Sequence, residues 1–137
     1  MSFLLDTNVV SELRRRRPHG AVTAWLRATD HRLLSLSAFS LGEIQAGIEL
    51  TRDQDPGRAA ELERWADEVA RTYEILPMDA AVWRTWAKLM HHKSDTLADD
   101  ARIAATALVH GLIIVTRNVR DFQLFDVQTF NPFTARP

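Results

Sequence analysis

The chain has 137 residues, of which 46% are hydrophobic and 26% are charged, and its formal net charge at pH 7 is -1. We expect one domain over residues 1–137, because this length supports a single substantial core. The absence of cysteine excludes disulfides, thiolate metal sites and a thiol nucleophile. No apolar stretch reaches the roughly 20 residues that span a bilayer, and no signal-peptide pattern opens the chain. We therefore expect a cytoplasmic protein.

Short apolar runs alternate with amphipathic segments along the chain. In chain order the patterns predict a strand at 3–5, helices at 9–15 and 21–28, a strand at 33–36, a helix from Ser37 or Ser40 through 50, a helix at 59–71, a strand at 74–76, a helix from Asp79 to His91, a helix at 99–110, and strands at 112–115 and 127–130. This alternation predicts an α/β fold with three α/β/α layers around a mostly parallel central sheet of four to five strands.

Acidic residues stand where predicted strands give way to helices. Asp6 directly follows the apolar run 3–5, and the others at comparable junctions are Glu43, Asp99, Asp100 and Asp121. Open α/β sheets build their sites at the carboxyl ends of strands. Several carboxylates gathered there repel one another unless a divalent cation neutralises them. The sequence therefore predicts a site for Mg²⁺ or Mn²⁺ at this edge of the sheet.

The first and last of these acids also have a structural interpretation. Asp6 could cap the helix that follows it, although Thr7 and Asn8 could cap that helix equally well. Asp121 follows a strand and a turn, and could cap a short helix. The surplus of capping residues around Asp6 favours a functional role for that carboxylate.

The other three acids, Glu43, Asp99 and Asp100, resemble capping residues more closely. Glu43 lies three residues after Ser40, and Asp99 lies three residues after Thr96, which is the spacing of a capping box. Asp100 lacks that spacing, but an acid in the first turn of a helix suits the helix dipole. The pattern alone leaves both interpretations open for these residues.

The basic residues are almost all arginine, since Lys88 and Lys93 are the two lysines among 17 basic residues. An unbroken run follows the Asp6 segment: Arg14, Arg15, Arg16 and Arg17. The run is either a solvated helix end or a phosphate clamp, because guanidinium groups bind phosphate bidentately. On a helix rising 1.5 Å per residue it would stand within roughly 12–15 Å of Asp6.

Two other classes that place aspartate at a strand end fit this chain less well. A phosphatase of the haloacid-dehalogenase type needs a second aspartate two residues after the first, and that position is Asn8. A response-regulator receiver needs a lysine at a late strand end, and the chain has none after Lys93.

Several segments form an ordered set across almost the whole chain. They are 4–12 (LLDTNVVSE), 100–107 (DARIAATA), 115–118 (VTRN) with Asp121-Phe122, the weaker 37–39 (SAF) with Gly42-Glu43-Ile44 and Gly47, and the closing 130–133 (FNPF). Together they resemble PIN-domain ribonucleases of the VapC type, the toxins of type II toxin–antitoxin pairs. The resemblance implies a PIN-like three-layer fold.

The resemblance also implies roles for particular residues. It implies the catalytic acids Asp6, Glu43, Asp100 and Asp121, of which Asp6, Asp100 and Asp121 bind Mg²⁺ or Mn²⁺, with polar support from Thr7, Asn8, Asp99, Thr116 and Asn118. The fourth acid is the least defined. Some relatives carry it directly after Thr-Arg, where this chain has Asn118, and others carry it before the Phe, where this chain has Asp121; we favour Asp121.

The implied activity is endoribonuclease cleavage, in which a metal-activated water leaves a 5′-phosphate and a 3′-hydroxyl on a tRNA or rRNA target. Arginines expected to contact RNA phosphates are Arg14, Arg15, Arg16, Arg17, Arg102 and Arg117. Two alternatives stay open, namely a PIN nuclease of RNA processing and a degenerate domain that only binds RNA or a partner.

The implied partners are RNA and a small VapB-type antitoxin, with no membrane contact. The antitoxin tail is expected to cross the site along apolar grooves formed by residues 9–13 and 41–50. A homodimer is expected, with a higher assembly that includes the antitoxin and binds its own operator DNA through it.

Overall fold

The computed structural model describes residues 1–134, so the last three positions of the predicted domain lie outside the described residues. Within residues 1–134 five strands form one sheet: β1 Phe3–Leu5, β2 Leu34–Ser37, β3 Glu74–Leu76, β4 Ile113–Val115 and β5 Thr129–Phe130. Their order is β3-β2-β1-β4-β5, and every neighbouring pair is parallel. The predicted parallel sheet is thus confirmed, at the upper end of its expected strand number.

Seven α-helices connect these strands in the same part of the chain: α1 Thr7–Glu12, α2 Gly20–Ala28, α3 Ala38–Gln54, α4 Pro56–Thr72, α5 Ala80–Met90, α6 Ala98–His110 and α7 Val119–Gln123. Short 3₁₀ turns lie at His31–Leu33, Asp95–Leu97 and Pro132–Thr134. No helix in the described range is both long enough and apolar enough to cross a membrane.

The central strand β1 shows why the sheet is covered on both faces. Leu4 and Leu5 are both fully buried, yet successive side chains of a strand point to opposite faces. Leu5 joins a core cluster with residues of α1 to α4, and Leu4 joins a second cluster with residues of α6 and α7. These two clusters give the three α/β/α layers that the alternating pattern predicts.

Local capping fixes several helix boundaries. The Ser37 side chain accepts a hydrogen bond from the Phe39 N–H at 3.1 Å and begins α3, and the Asp79 carboxylate does the same for α5 through Val82 at 3.0 Å. Gly111 ends α6 with a φ of +65°, a conformation that costs glycine little.

The structure corrects the predicted ends of α3 and α4. The helix expected to stop at residue 50 continues to Gln54, and the next begins at Pro56 rather than 59, so only Asp55 separates them. Proline suits the first helical position, and the Asp55 carboxylate accepts the Arg58 N–H at 3.0 Å. The predicted turn is therefore compressed into one capping residue.

The first helix differs from its prediction at both ends. It begins at Thr7 instead of residue 9 and ends at Glu12 instead of residue 15. The buried Glu12 carboxylate accepts the His19 N–H at 3.0 Å, which holds the returning chain against the end of the helix. The arginine run therefore lies in a turn beyond α1 and not on a helix.

Candidate active site

Asp6 lies at the carboxyl end of the central strand β1. Its N–H donates to the carbonyl of Val115 at 2.9 Å, which extends the pairing with β4 by one residue. Only 6% of Asp6 is exposed, and its Oδ2 accepts a hydrogen bond from the buried Thr116 hydroxyl at 2.8 Å. Asp6 occupies the N-cap position before α1, but its side chain makes no capping hydrogen bond to the N–H of the second or third helical residue. The capping explanation for this carboxylate is therefore wrong.

Burial raises the pKa of the Asp6 carboxyl above its ordinary value. Hydrogen bonds from the Thr116 hydroxyl and the Thr7 N–H oppose that increase, and the negative charge of Asp121 adds to it. The Thr116 hydroxyl thus holds the Asp6 carboxyl in place, while burial and the charge of Asp121 disfavour its ionised form.

Glu43 reaches the same edge from the first turns of α3. The Thr7 Oγ1 lies 2.8 Å from both Glu43 Oε1 and Ser40 Oγ. Because a hydroxyl carries one proton, Thr7 donates to the Glu43 carboxylate and accepts from Ser40. Ser37, and not Ser40, caps α3, so the capping-box interpretation of Glu43 is wrong. Burial is the first cause of the raised pKa of Glu43.

Asp100 lies in the first turn of α6, where it is half-buried. Its pKa is raised to about 6, first by burial and then by neighbouring negative charges. Those charges come from Asp121, Asp6, Asp99 and Glu43. Carboxylates from four separate elements therefore act on one another at the carboxyl edge of the sheet.

Asp99 and Asp100 are adjacent but have different surroundings. The exposed Asp99 carboxylate forms an ion pair with Arg102 one turn further along α6. Leu97 occupies the N-cap position before α6, and no side chain caps the helix. The predicted capping box from Thr96 to Asp99 is therefore wrong. Asp99 adds negative charge to the cluster, whereas Asp100 lies within it.

The candidates for the fourth acid occupy α7. Asp121 is in the first turn of that helix, and its charge raises the pKa of both Asp6 and Asp100. Asn118 precedes α7, and its N–H donates to the Thr116 Oγ1 at 2.9 Å. The charge of Asp121 therefore acts on Asp6 and Asp100. The backbone N–H of Asn118 holds Thr116, whose hydroxyl orients Asp6.

Direct ion pairs to these acids are absent from the described part of the chain. Within residues 1–134 none of Asp6, Glu43, Asp100 and Asp121 forms an ion pair. The described residues also contain no group of three Asp, Glu, His or Cys side chains close enough to enclose a metal ion. Carboxylate oxygens nevertheless suit Mg²⁺, which retains several waters and needs only one or two direct carboxylate ligands. The donor chemistry therefore fits a hydrated divalent cation.

The structure separates the six arginines of the prediction. Arg14 and Arg15 line a cavity together with Arg117, whereas Arg16 and Arg17 lie outside the lining of that cavity and of its two neighbours. The run does not lie on a helix, because α1 stops at Glu12, and contact with RNA phosphates stays a prediction for all six arginines.

Arg102 has a different environment. Its guanidinium lies over three aromatic rings, at 5.1 Å from the ring centre of Phe39, 5.4 Å from Trp86 and 5.8 Å from Trp83. These cation–π contacts and the ion pair with Asp99 hold the side chain in place. Arg102 is thus a fixed positive charge beside the acids, and it partly opposes the rise in the pKa of Glu43 that burial causes.

Two features of this region are not evident from the sequence. Ser40 and Thr7 form a hydrogen-bonded relay to Glu43 between positions 33 residues apart, so no local spacing reveals it. The rings around Arg102 come from α3 and α5, and the pair Trp83 and Trp86 at a spacing of three on α5 is the one local signal.

The region of the predicted groove between the early helices contains a cavity, with a lining that differs from the predicted one. Val9 and Val10 are fully buried in the core and do not reach it. A cavity of about 140 Å³ lies between α1, α3 and α4 instead. Its lining consists of Thr7, Ser11, Arg14, Glu43, Ile44, Gly47, Ile48, Thr51, Leu62 and Trp65. One end of this groove therefore includes a residue of the acidic cluster.

Comparisons with known proteins agree with this architecture. Residues 3–127 match the family model of the PIN domain. Toxin FitB of Neisseria gonorrhoeae is 34% identical over 96% of this chain and 98% of its own, and the VapC ribonuclease Y4jK of Sinorhizobium fredii is 33% identical over 96% and 97%. A solved structure of FitAB bound to an IR36 DNA fragment superposes with a TM-score of 0.85 and 31% identity over 98% of both chains.

The chain therefore belongs to the PIN-domain family, and within it to the VapC type. The predicted family and the PIN-like three-layer fold are both confirmed.

Proposed function

We propose that this chain is a divalent-metal-dependent endoribonuclease and the toxic component of a type II toxin–antitoxin module. Its relatives support both halves of the proposal, since one is named a toxin and another a VapC ribonuclease. The proposed substrate is a structured RNA of the tRNA or rRNA class.

The observation that carries the proposal is the raised pKa of Asp100, to about 6, in a cluster of acids without ion pairs in the described chain. Such a cluster costs the folded protein stability, because like charges are held together in partly dry surroundings. Perturbed acids of this kind gather at functional sites. A bound cation would remove the repulsion.

Asp6, Asp100 and Asp121 are the residues that would hold Mg²⁺ or Mn²⁺. When bound, such an ion activates a water molecule as the nucleophile and neutralises charge on the phosphoryl oxygens. These carboxylates would hold one or two such ions, each of which would keep several of its waters.

The remaining residues would position groups and move protons. The Thr116 hydroxyl orients the Asp6 carboxylate, and the Thr7 hydroxyl orients Glu43. Glu43 is our candidate to accept a proton from the attacking water, since its raised pKa improves its match to neutral pH. In-line attack on phosphorus would leave a 5′-phosphate and a 3′-hydroxyl, with Asn8, Asp99 and Asn118 as polar support.

The proposed partner is a small VapB-type antitoxin. Its tail would lie in the groove between α1, α3 and α4, where a basic side chain would meet the Glu43 carboxylate. A relative solved as FitAB on a DNA fragment supports an assembly that binds its operator through the antitoxin. We propose a homodimer of this chain as the unit of that assembly.

Cleavage of end-labelled structured RNA by the purified protein tests the proposal. Cleavage should require added Mg²⁺ or Mn²⁺ and should stop with excess chelator. The products should carry a 5′-phosphate and a 3′-hydroxyl, which a ligase and a phosphatase distinguish. Unchanged cleavage in chelator would overturn the metal mechanism, and harmless expression in cells by an active enzyme would overturn the toxin role.

A further inference from the structure

A second cavity lies beside the acidic cluster. It has a volume of about 340 Å³ and is formed by two separate parts of the chain, the end of α1 with the following turn and the loop after β4. Its lining consists of Asn8, Ser11, Glu12, Arg14, Arg15, Arg117, Asn118 and Phe133. The walls are therefore largely polar, and three of the eight lining residues are arginines.

Three guanidinium groups dominate the charge of this cavity, against one carboxylate. That carboxylate, Glu12, is buried; one oxygen accepts the His19 N–H and the other lies 3.6 Å from Arg15 Nε. Arg14 and Arg117 form no ion pair within residues 1–134. The cavity therefore retains a net positive charge that an anion would complement.

Arg117 is held in place before any ligand arrives. Its guanidinium lies 4.7 Å from the ring centre of Phe133, and that ring packs edge-on against His19 at 5.0 Å. A stacked guanidinium loses less conformational freedom on binding than a free one, and its planar fork matches a phosphate bidentately. This arrangement favours a phosphate over a diffuse acidic surface.

The cavity shares lining residues with two neighbouring cavities that include acids of the cluster. Arg117 and Asn118 also line a neighbouring cavity of about 360 Å³ that includes Asp121. On the other side, Ser11 and Arg14 also line the groove that includes Thr7 and Glu43. A chain of phosphates that passes the carboxylates would therefore meet these arginines next.

We propose that this cavity binds a phosphodiester group of the RNA substrate next to the cleaved linkage. The inference rests on the ribonuclease function proposed above. The arginines offset the repulsion between the acids and the RNA backbone, and they set the position of the RNA without reading its sequence. Only Arg14 and Arg15 of the run of four take part, together with Arg117.

The run itself supplies a matched control. Substituting Arg14 and Arg15 with serine removes two positive charges from the cavity, and substituting Arg16 and Arg17 removes the same two charges beside it. Both pairs lie in the exposed turn after α1, so their general electrostatic effects are similar. A difference in RNA affinity between the two double variants therefore measures the contribution of the cavity.

RNA binding is measured in an Asp100→Asn background, so that cleavage does not interfere, with a fluorescent RNA hairpin at several salt concentrations. We expect R14S/R15S to weaken binding about tenfold and to flatten the plot of log K against log salt by about 0.7 for each lost phosphate contact. R16S/R17S should change both quantities much less. In the active background, R14S/R15S should raise KM and leave kcat nearly unchanged.

Equal effects of the two double variants would overturn the proposal. Arg117→Gln provides an independent test if R14S/R15S unfolds, and unchanged RNA affinity in that variant would contradict the proposal equally. Normal RNA binding with lost antitoxin binding would assign the cavity to the protein partner instead. A wild-type protein that neither binds nor cleaves RNA would overturn the proposed function itself. A wild-type protein that cleaves RNA, with cavity variants that bind RNA normally, would overturn only the role of the cavity.

Discussion

The protein contains two groups of carboxylates with opposite surroundings. On the surface of α3 and α4, Arg52 forms ion pairs with Glu49 at 2.9 Å and Glu63 at 3.0 Å, and Gln45 donates to both carboxylates. These contacts lower the pKa of Glu49. At the carboxyl edge of the sheet, burial and like charge raise the pKa of Asp100 instead.

This difference separates a structural use of carboxylates from a functional one. Exposed paired acids need no ligand and add little stability. Crowded acids without ion pairs lower the stability of the folded protein, and such acids are typical of functional sites. Binding of a cation is the simplest function that explains them here. Substitutions in the two groups should therefore have effects of opposite sign on stability, and unequal effects on activity.

The largest expected effect is the loss of RNA cleavage on neutralising the acidic cluster. Asp6→Asn and Asp100→Asn should each lower kcat/KM by about 10³-fold or more, since metal ligands act on the transition state. The adjacent Asp99→Asn should lower kcat/KM much less, because that carboxylate is exposed, paired with Arg102 and only supports the site. Single-turnover cleavage of a labelled RNA measures all three. An active Asp100→Asn enzyme would show that the functional acid lies elsewhere.

The next effect is a gain in stability from the same substitution. The folded pKa of Asp100 is about 6, above the value of about 3.9 in an unfolded chain. The folded state therefore holds this proton more tightly, and stability falls as pH rises between about 4 and 6. After a discount for the partial exposure of the side chain, Asp100→Asn in metal-free buffer should be more stable than the wild type by about 1–2 kcal/mol at pH 7.5.

That gain should shrink below pH 6 and be nearly gone near pH 3, where the carboxyl is largely protonated in both states. Urea unfolding at the two pH values measures the difference. An Asp100→Asn protein that is less stable than the wild type at pH 7.5 would contradict the repulsion between the acids.

The smallest effect should come from the paired surface group. Glu49→Gln removes one ion pair of Arg52 and should lower Tm slightly, with no effect on RNA cleavage. High salt should erase the change in Tm, because exposed pairs are screened. Thermal unfolding at low and high salt checks this. A stabilised Glu49→Gln protein would remove the contrast between the two groups.

The sequence was sufficient to predict the sheet and the acids that follow β1 and precede α6. An apolar run that ends in Asp6, and an acid pair that opens an alanine-rich helix, are local signals. The five-strand parallel sheet and the two covered faces followed from alternation alone. The catalytic and metal roles of these acids stay predictions.

The sequence was not sufficient where distant segments decide the local structure. Glu12 ends α1 by accepting the His19 N–H, and this contact moved the arginine run off the helix. Glu43 matched a capping box in spacing, yet its partner is Thr7 of another helix. In both cases a hydrogen bond to a distant segment decided the local structure, and the residue pattern along the chain did not.

Binding of Mn²⁺ to the metal-free protein tests the central claim most directly. Calorimetric titration should show Mn²⁺ binding to the wild type that raises Tm, because a ligand of the folded state stabilises it. Binding and the rise in Tm should persist in Glu49→Gln and should be lost or strongly weakened in Asp100→Asn. Equal Mn²⁺ affinity in the wild type and in Asp100→Asn, or no binding to the wild type, would contradict the account.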